Sequence, residues 1–208
     1  MRRSAKQFLD DRRGATIVEF ALIVPVMMLL LMGFSELLYQ EYAQSILSGE
    51  VQKAARDSGI EGGAAGTSAI DAKVIAHIGP VVKGLTNNCA KTAAASAAAW
   101  CSVRSSYDSF SEVAPEAFTD SNGNGVRDPG ECFTDVNGNG TWDADPGTSG
   151  QGGASAIASY TMTISYRRLF PLARMLGWSN YQKISSTTLL KNQPYATQTT
   201  IDDTTVCT

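Results

Sequence analysis

Asp120, Asn122, Asn124, Asp128 and Glu131 stand at positions one, three, five, nine and twelve of one stretch, with Gly125 at position six. Alternate side chains of a tight loop deliver oxygens to one point, a glycine at position six permits the sharp turn, and a terminal carboxylate binds through both of its oxygens. Val126 adds a backbone carbonyl at position seven. Such a set of hard oxygens suits calcium, which takes six to eight of them. Fifteen residues on, Asp135, Asn137, Asn139, the Thr141 carbonyl and Asp143 repeat the pattern, but position twelve is Pro146. The second loop is incomplete unless Asp145 or the first loop contributes.

Pro115 precedes the first loop and Pro129-Gly130 interrupts the way to the second, so neither lies between helices. The pair resembles the compact aspartate-asparagine-glycine calcium loops of thrombospondin type 3 repeats more than an EF-hand pair. Asn in place of Asp lowers the site charge, which suits extracellular calcium. Six carboxylates against Arg127 give residues 118–147 a net charge of −5, beyond the −3 of the whole chain. Without a counter-ion this insert is expected to be extended or disordered. Repeated Asn-Gly units also make ordinary turns, but turns alone do not require aspartates at positions one and nine of both copies.

The other chemically marked residue is a lone carboxylate. Residues 15–34 carry no charge except Glu19, and Arg2, Arg3, Lys6, Arg12 and Arg13 precede them against Asp10 and Asp11. A carboxylate costs on the order of 3 kcal/mol at a bilayer centre and less toward the interface, so it persists where it finds a partner or snorkels to water. The basic excess before the apolar run should stay cytoplasmic, which exports everything after about Ser35. A secretory signal has a shorter apolar region and is cut after it.

Arg12-Arg13-Gly14 followed by Ala15-Thr16-Ile17-Val18-Glu19-Phe20, with Pro25 and Gly33-Phe34-Ser35-Glu36 further on, resembles the start of TadE-like proteins, minor pilins of tight-adherence pili. The resemblance implies a prepilin peptidase that cuts between Gly14 and Ala15, ahead of the apolar segment. Glu19 then becomes the fifth mature residue and, with Phe20, belongs to the assembly signal. In pilins this glutamate meets the N-terminal amine of a neighbouring subunit, so the Ala15 amine is its implied partner. Type II secretion pseudopilins begin the mature chain with Phe or Met, and Ala15 fits the tight-adherence branch better. The implied partners are major and minor pilins and an inner-membrane assembly platform. The implied location is the bacterial inner membrane, single-pass with a periplasmic C-terminal domain, and afterwards the pilus.

These residues need elements to position them. Tyr39, Ala43, Ile46, Leu47, Val51 and Ala54 continue a helical pattern beyond the apolar run, so one helix is expected to reach Ser58 and stop at Gly59. Its length would be roughly 65 Å, about twice the hydrocarbon thickness. Pro25 either hinges that helix or is a tolerated membrane proline. Ser68 and Asp71 have the spacing of a helix start, with Ile70, Val74, Ile78, Val81 and Leu85 on one face. Pro80 is expected to kink or divide this second helix, and Asn87-Asn88 to end it.

Strict alternation of apolar and hydroxyl residues over 160–166 predicts a strand with one buried face, and residues 100–107 and 184–190 are further strand candidates. Between the last two, residues 170–178 read as a short helix or turn. The expected fold is α+β: a long N-terminal helix, a small antiparallel sheet with short helices, and the loop insertion. The divisions are a leader (1–14), a transmembrane half-helix (15–34), its periplasmic continuation (35–58) and an exported domain (59–208) containing the insert (118–147). Roughly 150 residues after the helix suffice for one small core.

Cys89, Cys101, Cys132 and Cys207 all lie on the exported side, where disulfides form. Of three possible pairings, closeness in sequence favours Cys89 with Cys101 and Cys132 with Cys207. No cysteine pair has metal-ligand spacing, and the single histidine, His77, reads as structural or exposed. A charged fraction of 18% with no basic body excludes a nucleic-acid surface. There is no G-x-S-x-G, phosphate loop or C-x-x-C to suggest an enzyme. The alternative to a pilin is a membrane-tethered, calcium-dependent binding module that never enters a filament.

Overall fold

The computed structural model describes residues 13–60, 63–196 and 201–208. Helix α1 (Arg13–Ser58) runs without interruption through Pro25. Its two halves meet different surroundings. Ile17, Val18, Phe20 and Leu22 are exposed, as are most apolar side chains up to Phe34, and none of the most apolar stretch is buried. Beyond Tyr39 the pattern narrows to one stripe, and Ala43, Leu47, Val51, Ala54 and Ala55 are buried. The helix is long and apolar enough to cross a membrane by its N-terminal half.

Helix α2 (Thr67–Ile78) follows a 3-10 turn (Gly63–Gly66). Then come β1 (Thr86–Asn87), the short helix α3 (Cys89–Ala93) and β2 (Ala99–Tyr107). A 3-10 turn (Phe110–Glu112) leads to β3 (Cys132–Asp135) and β4 (Thr148–Ser149). Strand β5 (Ile157–Arg167), helix α4 (Leu172–Met175), β6 (Tyr181–Lys191) and β7 (Thr204–Cys207) complete the chain. The main sheet has the order β1-β2-β5-β6, with β4 beside β2. Strand β5 is antiparallel to β2 and to β6, while the two-residue β1 is parallel to β2. Strands β3 and β7 form a separate antiparallel pair.

The alternation in β5 sets the layers. Tyr160, Met162, Ile164 and Tyr166 point into one core with Ile184 of β6, the α1 stripe and Ile70, Val74 and Ile78 of α2. On the opposite face Thr161 bonds Thr187 at 2.7 Å and Thr163 bonds Ser185 at 2.9 Å. Ser165 belongs to that hydroxyl face yet is fully buried. Helix α3 packs on β2 and β5, tied to β2 by Cys89–Cys101.

Several local expectations need correction. Asp71 does not cap α2, whose N-cap is Gly66 with no side-chain bond. Pro80 lies beyond the end of that helix at Ile78, so it neither kinks nor divides it. Asn88 starts a helix: its side chain accepts the Lys91 N–H at 2.9 Å and caps α3. Gly59 follows α1 without the left-handed backbone of a glycine cap. A Cβ there would come within 2.8 Å of Leu190 Cδ2, a side-chain end that would have to shift.

Asp71 instead ties α2 to the sheet. It is 5% exposed and accepts hydrogen bonds from Arg104 at 2.6 and 3.1 Å, Ser102 at 2.6 Å and Tyr160 at 2.7 Å. The guanidinium also lies over the Tyr160 ring. Burial pushes the Asp71 pKa up, but the hydrogen bonds from Arg104, Ser102 and Tyr160 and the Arg104 charge outweigh it, and the pKa falls below the usual carboxylate value. Burial and the neighbouring carboxylate raise that of Tyr160. A depressed folded-state pKa stabilises above the unfolded value, and that stability disappears as pH falls through the folded value. Asp71→Ala, which leaves Arg104 buried and unpaired, is expected to cost about 3–5 kcal/mol in urea unfolding of the detergent-solubilised chain. The wild-type advantage over the mutant should shrink below about pH 4.

Candidate functional site

In the first loop the Asp120 carboxylate accepts the backbone N–H groups of Gly123 at 2.7 Å, Asn124 at 3.2 Å and Gly125 at 2.7 Å. These bonds, that from Gly125 foremost, lower its pKa. Gly125 has φ +76°, which a side chain would strain. Asn122 and Asn124 donate their amides to Asp128 Oδ2 at 2.7 and 2.8 Å. Glu131 closes the loop, its two oxygens accepting the N–H of Ser121 at 2.7 Å and of Asp128 at 2.9 Å.

The second loop repeats this bond for bond. Asp135 accepts Gly138, Asn139 and Gly140 N–H at 2.7, 3.2 and 2.7 Å, and Gly140 has φ +74°. Asn137 and Asn139 donate to Asp143 Oδ2. The closing carboxylate is neither Asp145 nor any group of the first loop. Glu116, 3% exposed, accepts Val136 N–H at 3.0 Å and Asp143 N–H at 2.9 Å. It takes the place that Glu131 takes in the first loop. Asp145 instead accepts the Tyr107 hydroxyl at 2.8 Å. Burial, then Asp145, pushes the Tyr107 pKa up to about 12.

Glu116 lies fifteen residues before Glu131, so the repeat begins earlier than the loops themselves. Each copy lends its leading glutamate to the loop of the other, around a bridge between Phe118 and Phe133. Other bonds obey the same exchange. Thr119 N–H donates to Cys132 O and Thr134 N–H to Ala117 O, both at 2.8 Å. Trp142 Nε1 donates to Glu116 O, and Arg127 to Glu131 O. Trp142 meets the Phe118 ring edge to face, while Arg127 lies over Phe133. The insert is therefore a pseudo-twofold pair. The sequence signal for Glu116 was the fifteen-residue period, legible once Glu131 is taken as the start of the second copy.

The donor set is carboxylate, amide and carbonyl oxygen, which fits a hard cation. Among the described residues no three carboxylate, imidazole or thiolate groups converge as they would around a bound ion. The Asn amides turn nitrogen toward Asp128 and Asp143, and an ion at those points would take their oxygens instead. Amide orientation is set by the hydrogen-bond network, which an ion would replace.

The insert is held to the C-terminal strand by the Cys132–Cys207 disulfide and the β3–β7 ladder. Arg127 also reaches Thr208. His77 is half-exposed and pairs with Glu50 at 2.7 Å.

At the other end of the chain, Gly14 and Ala15 fall in the first turn of α1, while residues 1–12 of the expected leader lie outside the described residues. Glu19 and Phe20 are exposed on the helix. Further along, Glu36 accepts the N–H groups of Leu169 at 3.1 Å and Phe170 at 3.3 Å and lies 3.8 Å from Arg168, fixing the turn before α4 against α1.

Fold and helix together define an α+β protein with, among the described residues, one helix that could cross a membrane. Residues 14–56 match the family model described as TadE-like protein, so the segment that could span a membrane is a TadE-like helix. The match stops before the end of α1 and takes in neither the sheet nor the insert. No curated protein and no solved structure matches the chain.

Replacing Cys132 and Cys207 by serine opens a covalent loop with a sequence separation of 75. Chain entropy puts the loss near ~4.5 kcal/mol where the whole domain unfolds together. If the insert unfolds locally, limited proteolysis should cut between residues 116 and 147 first. The Gly140→Ala change should weaken the second loop by about 1–2 kcal/mol, because it forces a side chain into left-handed backbone.

Proposed function

We propose that this chain is a minor pilin of a tight-adherence pilus, cleaved after Gly14 and carrying a calcium-ordered paired loop on its exported domain. The observation that carries the pilin reading is the TadE-like match along an apolar helix whose charged residue, Glu19, is exposed on a surface fit for hydrocarbon. Before assembly, α1 anchors the protein in the inner membrane. After cleavage the same surface packs among other pilins, where Glu19 finds the amine of a neighbouring Ala15. That pairing offsets the cost of desolvating both charges. The prepilin peptidase and the assembly platform are the partners of these steps, and the chain takes a structural part in initiation, assembly or tip adhesion.

The paired insert supplies what is individual to this subunit. Asp120, Asn122, Asn124, the Val126 carbonyl, Asp128 and Glu131 would hold one calcium ion. Asp135, Asn137, Asn139, the Thr141 carbonyl, Asp143 and Glu116 would hold a second. The reading is supported by Glu116, which gives the second loop the closing carboxylate that its own sequence lacks. Bound calcium supplies positive charge to a stretch of net charge −5 and orders it against proteolysis.

Mass spectrometry of the native protein should find Ala15 at its N-terminus. A chain that keeps Gly14 joined to Ala15 removes the pilin reading and leaves a membrane-tethered binding module. Glu19→Ala should insert normally yet be depleted from purified pili. Calorimetric titration of the detergent-solubilised chain with calcium should resolve two sites, and Glu116→Gln should lose or weaken the second while Glu131→Gln affects the first. No heat and no change in protease sensitivity on adding calcium would remove the metal from this account.

A further inference from the structure

We propose that the segment from Arg167 to Lys183 is a foot that seats the exported domain on the phospholipid surface, an inference that rests on α1 being a membrane anchor. The foot carries Leu169, Met175, Leu176 and Trp178, which are 52%, 73%, 66% and 66% exposed. Four such side chains on one short turn of a soluble domain form an apolar patch that asks for a cover. What covers it follows from where it sits along α1. Leu172, Leu176 and Trp178 face Leu29, Leu30 and Phe34 of the helix across an open apolar groove.

The uncharged run of α1 ends at Phe34, and Glu36 is the next charge. The membrane boundary therefore falls near Ser35. Leu29 lies six residues inward, about 9 Å along the helix axis. The foot thus reaches the depth of about 5–10 Å at which interfacial apolar groups lie between headgroups and acyl chains. Trp178 is of the type favoured at that level, with an apolar ring and a polar N–H.

Charge agrees with depth. Arg167, Arg168, Arg174 and Lys183 fall in this segment and no acidic residue does, in a chain of net charge −3. Arg167, Arg174 and Lys183 are exposed, so their long side chains are free to reach anionic headgroups while the apolar stems lie along the lipid. Glu36 holds the foot at this height by accepting the Leu169 and Phe170 N–H groups. The domain is then fastened to the bilayer at two places, through α1 and through the foot, so it is expected to keep one orientation on the surface instead of swivelling on its stalk.

The test uses the full chain in vesicles of phosphatidylethanolamine and phosphatidylglycerol, with phosphatidylcholine brominated either near the carbonyl or near the methyl end of its acyl chains as quencher. The emission of Trp178 is the difference between wild type and Trp178→Phe, which removes Trp100 and Trp142 from the reading. Trp178 is expected to be quenched by the shallow bromine more than by the deep one and to be shielded from aqueous acrylamide. Arg167→Gln with Arg174→Gln should reduce both effects. A chain that floats with the vesicles but shows no lipid quenching of Trp178 overturns the foot and leaves the anchor standing. Shielding from acrylamide without lipid quenching also overturns it, in favour of a second copy in the groove. A chain that fails to float overturns the anchor and the foot together.

Discussion

Ala43, Leu47 and Val51 are fully buried and Ala54 and Ala55 nearly so, and this stripe of α1 is the surface on which β5, β6 and α2 assemble. Each large side chain in it contributes about 1.5–3 kcal/mol through removal from water, and the alanines let sheet and helix approach closely. Gly59 extends the same closeness to the end of the helix, where Leu190 would meet any Cβ. The stripe fixes the direction of the whole helix. The N-terminal half has no such stripe: apart from Glu19 its side chains are apolar and mostly exposed, and only from Leu29 to Phe34 does the segment around α4 come alongside, across an open groove. A helix with these two halves serves a domain and a second environment at once, and the domain determines the angle at which that environment is met.

Two polar devices make the packing specific. Asp71 brings a charge from α2 against Arg104 of β2 and Tyr160 of β5, so the second helix docks in one register. Glu36 does the same for the turn before α4, through backbone N–H groups as well as the Arg168 charge. Both carboxylates lie on helices, and their partners lie on or beside the sheet. Hydrophobic burial alone would tolerate slippage along α1. Asp71, with donors on both oxygens, and Glu36, with two N–H groups on Oε2, do not, because any slip strands a buried charge.

How much of this the sequence disclosed varied with the range of the interaction. The alternation of Tyr160, Met162, Ile164 and Tyr166 is a local signal, and β5 follows it. So does the apolar spacing of α1, since a helix reports its buried face within a few residues. Asp71 was read locally too, as half of a capping box, although its partners lie 31 to 89 residues away and leave no trace in its neighbourhood. Asn88 illustrates a related ambiguity, because asparagine is at home after a helix and before one, and here α2 has already stopped at Ile78 while Asn88 caps α3. The hydrogen-bonding residues of the first loop were legible because the motif is contiguous. Glu116 was not, because the carboxylate that closes the second loop comes before the first.

That exchange explains the form of the insert. A single fifteen-residue copy holds its leading glutamate ahead of its own loop, and in the fold Glu116 turns to Val136 and Asp143 of the other. The second copy supplies that group to the first, and the first returns one to the second. Two copies are the smallest number for which both loops close, and no third glutamate is required after Asp143, where the chain continues with Asp145 and Pro146. The Phe118–Phe133 bridge lies at the point of exchange, so strain or disorder in one loop is carried to the carboxylate of the other. Loops that exchange their closing groups in this way are joined by more than the chain between them, and that makes the insert a single surface in place of two separate turns.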